Sequence, residues 1–417
     1  MRRLVAGVAV ALSGAVASGC GENHPPPLAI EHVTVVDVVH GTLRPDQNVI
    51  LRVRYIEALG PAATTPVPPD AERVDGTGKF LIPGLWDMHV HLNPGARDTL
   101  VAYGVTGARE MGGSAEALLA WRRADILDPR RGPRLVIAGP SLRGPRALTD
   151  SGPWVLRSPA DAQRAVDSLA MLGVDFVKVW DGLSRETYFA AVRAARARGL
   201  MVVGHVPATV TPVEASDSGL ASIEHLEFLP DLCLILFDGA ARRARRPPPR
   251  GCDPASLDSL FAHLARNGTW LDPTISSFRT WVGPERFPAL LAGFRDIVPL
   301  LRRSGVHLLV GTDIGSFGMV PGASLHDELA LLVEAGLTPA EVLRAATLNP
   351  ARFLRMDDLH GTIAVGKRAD LVLLEGDPLA DIRNTRRIAA VFRERRMLGR
   401  AQLDSLLRGP LRRGTDR

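Results

Sequence analysis

Eight short apolar runs alternate with helix-like stretches through the middle of this chain, and the alternation predicts an α/β fold, a closed (β/α)8 TIM-like barrel. Short β-branched runs at both ends, broken by Gly, Pro and Asp, predict a small β-sandwich formed from the N- and C-terminal segments. Several central runs end in His, Lys or Asp, and strand C-termini are where such a barrel places its chemistry. At 417 residues, 46% hydrophobic and 23% charged, the chain can bury a large core.

Taken in order, residues 1–20 read as an export signal. Arg2-Arg3 precede an apolar stretch from Leu4 to Val16 that is short for a membrane span. Ala17-Ser18-Gly19-Cys20 resembles a bacterial lipoprotein cleavage site, which would make Cys20 the lipidated first residue and lipid the only link to a membrane. The expected location is the periplasmic side of the envelope, or the periplasm. Residues 21–27 are polar and proline-rich, as suits a tether. Residues 28–81 hold β-branched runs such as Val33–Val36 and Val49–Val53. The barrel is expected over 82–354, with strands at Leu85–His91, Val105–Arg109, Arg134–Ala138, Phe176–Trp180, Met201–His205, Ala221–His225, Trp270–Thr274 and His307–Thr312. Helical stretches between and after them include Pro159–Leu172, Glu186–Arg198, Pro254–Asn267, Leu325–Glu334 and Pro339–Thr347. Residues 355–402 return to strand-like runs, Ile363–Val365, Asp370–Leu374 and Ile388–Phe392, and 403–417 form a basic tail.

The strand ends carry the chemistry. His89-Val90-His91 closes the first run, and on a strand residues i and i+2 face one way, so both imidazoles converge. His205, His225 and Asp313 close three further runs, and Lys178 sits inside a fourth. Singly, each has an ordinary reading: a core histidine, an aspartate capping the next helix, a lysine reaching for water. Together they supply the donors of a metal site. Lysine stands at only Lys79, Lys178 and Lys367 among 50 basic residues, the rest being arginine. A buried lysine, unlike arginine, can lose its proton. The neutral amine can add carbon dioxide, and the resulting carbamate can bridge two metal ions.

With these residues in view, the chain resembles the amidohydrolase superfamily, in particular its binuclear, carboxylated-lysine branch of prolidase-like and imidazolonepropionase-like hydrolases. The resemblance lies in Pro83–His91, Val177-Lys178-Val179, Gly204-His205, Ile223-Glu224-His225, Gly311-Thr312-Asp313 and the closing Gly361–Val372. Glu110 follows Arg109 where relatives often carry aspartate, so the resemblance assigns it no role. It implies two divalent metal ions, zinc being well suited to the donor set. His89, His91 and Asp313 would hold one, and His205 and His225 the other. Carboxylated Lys178 and a hydroxide would bridge them, and Asp313 would act catalytically by moving the proton. The expected activity is hydrolysis of an amide or peptide C–N bond in a small molecule or short peptide. Lactone or ester hydrolysis and mononuclear deamination are alternatives on the same fold, and a non-catalytic exported binding lipoprotein is an alternative of another class. A glutamate shortly after His205 would favour the deaminase, but the chain reads Val206-Pro207-Ala208-Thr209.

The net charge of +5 comes without a nucleic-acid motif, so no nucleic-acid partner is expected. Cys233 and Cys252 could pair in an oxidising compartment or stay as thiols. They bracket Arg242, Arg243, Arg245 and Arg246, either a solvated basic insertion or a substrate rim that attracts carboxylates.

Overall fold

The computed structural model describes residues 25–130, 132–145, 152–226, 253–315, 319–394 and 396–408. The leader with Cys20, the segment with Cys233, Cys252, Arg242, Arg243, Arg245 and Arg246, and residues 409–417 lie outside the described residues. Among the described residues no helix is long and apolar enough to cross a membrane.

Both ends of the chain build one sheet. Its strands are β1 (Leu28–Asp37), β2 (Thr42–Arg52), β3 (Tyr55–Pro61), β4 (Glu72–Asp75) and β5 (Phe80–Pro83), with β13 (Leu371–Leu374), β14 (Ile388–Arg393) and β15 (Arg396–Gly399) from the far end. The order is β15-β14-β13-β5-β1-β2-β3, with β4 also on β1. Thus the expected sandwich is hydrogen-bonded as a single eight-stranded sheet. Its two faces follow the period of two. Leu371 and Leu373 join Leu81, Val35 and Phe392 in the sheet's own core. Val372 and Leu374 point the other way, into the core shared with the barrel. The expected strand Ile363–Val365 does not form, because Gly361 and Gly366, at φ +87° and +85°, turn the chain on either side of it.

The barrel strands are β6 (Leu85–Val90), β7 (Val105–Glu110), β8 (Arg134–Ile137), β9 (Phe176–Val179), β10 (Met201–Gly204), β11 (Leu220–Glu224) and β12 (Trp270–Asp272). They pair in parallel as β6-β7-β8 and β9-β10-β11-β12. Leu142 joins the two groups, donating to Lys178 O at 2.9 Å and accepting from Trp180 N at 2.8 Å. The other gap is closed by the segment 307–314. Leu309 donates to Leu271 O of β12, and Met88 of β6 donates to Val310 O, both at 2.8 Å. This eighth run, expected as a strand over His307–Thr312, pairs through the isolated bridges Leu271–Leu308 and Val90–Ile314 rather than as a regular strand. Asp313, just past it, has left-handed backbone at φ +59°, which interrupts an extended repeat.

Alternation separates the barrel's two faces. Phe176, Val203 and Leu309 pack with Trp86, Met88 and Phe353 in the interior. Their neighbours Val177, Val202 and Val310 face the helices. Lys178 and His205 stand two residues beyond Phe176 and Val203, so the same parity turns them inward. The helices are α1 (Ala96–Ala102), α2 (Ala115–Leu127), α3 (Pro159–Leu172), α4 (Arg185–Ala197), α5 (Pro212–Ser218), α6 (Pro254–Asn267), α7 (Ile275–Val282), α8 (Phe287–Ser304), α9 (Ala323–Glu334), α10 (Pro339–Ala346), α11 (Leu348–Phe353) and α12 (Arg400–Arg408). Their starts are locally encoded. Ser158, Ser184 and Asp253 accept from a backbone N–H of the first turn, and Thr211 and Thr338 form full capping boxes with Glu214 and Glu341.

Candidate active site

All six residues singled out as ligands meet in one cavity of about 740 Å³ at the C-terminal ends of the barrel strands. His89 lies in β6 and His91 just past it, Lys178 lies in β9, and His205 and His225 follow β10 and β11 directly. Asp313 follows the closing segment. His225 and Asp313 both adopt left-handed backbone, at φ +65° and +59°. Such positions cost non-glycine residues roughly 1–3 kcal/mol and cluster at functional sites. At Gly311 a Cβ would come within 2.5 Å of His89 Cβ and of Asp272 Oδ2, so the glycine before Thr312-Asp313 lets the closing segment press against β6.

The imidazoles are held ring by ring. His89 Nδ1 is 3.0 Å from Glu224 Oε2 and therefore donates to it, which leaves Nε2 as the donor-free nitrogen. That Nε2 is buried, has no hydrogen-bond partner among the described residues, and lies 3.5 Å from Asp313 Oδ1. His91 Nε2 approaches the same Oδ1 at 3.4 Å. His225 Nδ1 is 2.7 Å from Thr274 Oγ1, and His205 Nδ1 is 3.3 Å from Asp181 Oδ1. The ring of His225 stands 4.5 Å from that of His89 and 5.0 Å from that of His205. Ligand atoms of His89, His225 and Asp313 all fall within 4.8 Å of one another. Burial holds His89 and His225 well below the usual histidine range, and the Lys178 charge adds to this at both. A neutral His89 whose buried Nε2 is left over beside the Asp313 carboxylate, with further imidazoles around it, fits a divalent metal ion.

Beneath the cavity, inside the barrel, lies an ion cluster that sequence reading missed. Arg109, fully buried, donates to Met88 O, Ser222 Oγ and both oxygens of Glu224, and its Nη2 lies 3.4 Å from Asp272 Oδ2. Burial raises the Glu224 carboxyl, but the charges of Arg109 and Lys178 outweigh it and hold the group below its ordinary value. Asp272 is pushed well up by burial and by Glu224. His89, Glu224 and Asp272 could in principle surround a cation, but the Arg109 guanidinium already fills that role. An arginine next to a glutamate inside a buried strand was a visible signal. Glu110, left unassigned above, is a brace: its carboxylate accepts from Leu92 N at 2.7 Å and Gly112 N at 3.2 Å, tying together the loops after β6 and β7. Asp87 similarly ties β6 to the closing segment, accepting from Thr312 N and Thr312 Oγ1 at 3.0 and 2.7 Å. Trp180, Trp281 and Ser141 complete the cavity wall, and none was singled out as a site residue from sequence.

A closed (β/α)8 barrel with imidazoles, a lysine and an aspartate converging at its strand ends carries the donor set of a candidate metal site. The chain belongs to the amidohydrolase family, whose model matches residues 181–394. That span includes His205, His225 and Asp313; His89, His91 and Lys178 precede it and are brought in by the fold. The chain is 29% identical over 376 residues to an imidazolonepropionase from Pseudomonas paraeruginosa, covering 78% of this chain and 87% of the relative. It is 24% identical over 352 residues to an adenine deaminase from Methanococcoides burtonii, covering 79% and 52%. The chain spans about half the length of the adenine deaminases it matches. Among solved structures, a putative prolidase from Bifidobacterium longum superposes with a TM-score of 0.70 at 26% identity, covering 92% and 98% of the two chains. A Xaa-Pro dipeptidase with bound methionine shares the fold, with a TM-score of 0.72 at 22% identity, covering 89% and 100%.

Proposed function

We propose that this chain is a two-metal hydrolase that cleaves an amide or peptide C–N bond in a small molecule or short peptide. The observation that carries the reading is the convergence of four imidazoles, Lys178 and Asp313 on one cavity. His89, His91 and Asp313 would hold one metal ion, His205 and His225 the other, with Lys178 between them as a carbamate. Zinc suits these donors. Bound there, the metals supply Lewis acidity and a water of lowered pKa. The protein's own groups do the rest. Glu224 keeps the Nδ1 proton of His89 in place, so Nε2 faces the cavity. Asp313 Oδ1, close to Nε2 of both His89 and His91, is placed to take a proton from the attacking water and return it to the leaving nitrogen. Trp180 and Trp281 provide apolar wall that limits bulk water at the reacting bond. The leader would direct export, with Cys20 as the lipid anchor.

Similarity to adenine deaminases supports a second reading, mononuclear deamination, against which stands the absence of an acidic residue among the four that follow His205. Metal analysis separates the two: about two equivalents are expected in fully active protein, and one equivalent would remove the binuclear reading. A panel of dipeptides, N-acyl amino acids, lactones and adenine should give turnover on the amide members. Lys178→Ala should lose activity by orders of magnitude and regain part of it with metal plus a short-chain carboxylate filling the vacated space. An unmodified Lys178 amine in metal-loaded wild type, seen by mass analysis, would refute the carbamate.

A further inference from the structure

A second cavity, of about 280 Å³, opens at the seam between the barrel and the terminal sheet. It lies at the other end of the barrel strands from the histidines, because Arg134, which lines it, is the first residue of β8. Five guanidinium groups border it: Arg54, Arg122, Arg134, Arg368 and Arg393. Three of them are already matched. Arg122 pairs with Asp175 at 2.7 Å, Arg368 with Glu394 at 3.1 Å, and Arg393 with Asp370 at 3.1 Å. Asp125, an acidic wall residue, is taken by Arg97 at 2.8 Å.

Arg134 and Arg54 remain. The carboxylates nearest Arg134, on Asp370 and Glu394, stand 4.0 and 3.9 Å away and are committed to Arg393 and Arg368. The Nε atoms of Arg134 and Arg368 are buried and have no hydrogen-bond partner among the described residues. Arg54 makes no ion pair among the described residues and sits exposed at the mouth. The Arg134 side chain is three-quarters buried and makes no hydrogen bond among the described residues, which is costly to keep, and an oxyanion in the cavity would supply acceptors. Burial, reinforced by the like charges of Arg393 and Arg368, lowers the Arg134 pKa despite Asp370 and Glu394, which is the environment that counter-charge relieves.

We infer that this seam binds a small oxyanion carrying two or more negative charges, held chiefly by Arg134 with Arg368 and Arg54. The volume admits a phosphate or a short dicarboxylate rather than an extended polymer. Because the wall residues come from α2, β8, the β2–β3 turn and the C-terminal strands, an anion there would tie barrel to sheet.

The test is calorimetric titration of the metal-loaded protein with inorganic phosphate and, separately, with succinate, at constant ionic strength made up with chloride. A melting-temperature series accompanies it. Wild type should bind at least one of the two saturably and melt higher when it is bound. Arg134→Gln and the exposed Arg54→Ser should each weaken binding at least tenfold while leaving hydrolytic turnover unchanged. Arg54→Ser serves if Arg134→Gln does not fold. The probe that binds tells a tetrahedral oxyanion site from a dicarboxylate site. No saturable binding of either anion would overturn the inference, as would a variant affinity within twofold of wild type.

Discussion

At the scale of single residues, the cavity's histidines depend on groups buried beneath it. Glu224 fixes the His89 tautomer from below and is itself held by Arg109, whose Nη2 donates to both of its oxygens. Partners of this kind typically account for about 10–100-fold in metal affinity. If the cavity holds the proposed divalent metal, Glu224→Gln should weaken its binding by roughly that factor, read by chelator competition. Unchanged affinity would show that the Nδ1 contact does not set the ligand geometry. The same residues mark where reading the chain stopped. His89, His91, Lys178, His205, His225 and Asp313 were legible because strand parity and residue type already announce a shared inward face. Arg109 was not, because a charge inside a strand does not reveal its partners, and Ser222, Glu224 and Asp272 lie more than 100 residues away.

At the scale of elements, α7 links the core to the site. Thr274, its N-cap, holds His225, and Trp281 in its last turn lines the cavity. Nothing caps this helix from its own sequence. Instead Glu328 on α9 accepts from Ile275 N at 2.8 Å and Ser276 N at 2.6 Å. Glu328→Ala leaves both donors buried and unmet, at a cost of about 1–3 kcal/mol each. It should lower stability in urea by at least about 2 kcal/mol and reduce turnover by disturbing Thr274. Normal stability would show that α7 is held by packing alone.

Helix α9 also contains a pH-sensitive contact. His326, fully buried, donates from Nε2 to Tyr103 O at 3.0 Å, and its Nδ1 lies 2.9 Å from Thr385 Oγ1. Burial depresses its pKa from 6.5 to about 4. The unfolded chain therefore binds this proton at a higher pH than the folded one does. The contribution is complete above pH 6.5 and is lost as pH falls toward 4, by about 3 kcal/mol in all. In His326→Gln that slope should be shallower by the same amount between those limits, measured by urea melts across pH. Parallel pH profiles for variant and wild type would exclude His326 as the source.

For the whole molecule, the terminal sheet is part of the fold and not an appendage. Its β13 has one face in the sheet's own core and the other in the barrel's, so the two cores share a wall. Ending the chain at residue 387 removes β14, β15 and α12 and uncovers Leu371 and Leu373. The truncated chain should aggregate or bind hydrophobic dyes strongly, as followed by size exclusion and dye fluorescence. A soluble monomer with a sharp thermal transition would mean that the barrel stands without its C-terminal strands.

Sequence alone determined most of the elements and the six side chains that meet in the cavity. Period-two alternation, capping residues such as Ser158 and Thr338, and donors at run ends are local signals, read within a few residues. Tertiary structure decided the rest. It made the two ends of the chain one sheet, since β5 and β13 pair across the whole length of barrel that separates them in sequence, beyond the reach of any local signal. It completed the eighth barrel position by isolated bridges instead of a strand, because Asp313 leaves extended backbone to aim at the histidines. It also put Arg109 among carboxylates from β11 and β12, a pairing set by the barrel's curvature and not by any spacing along the chain.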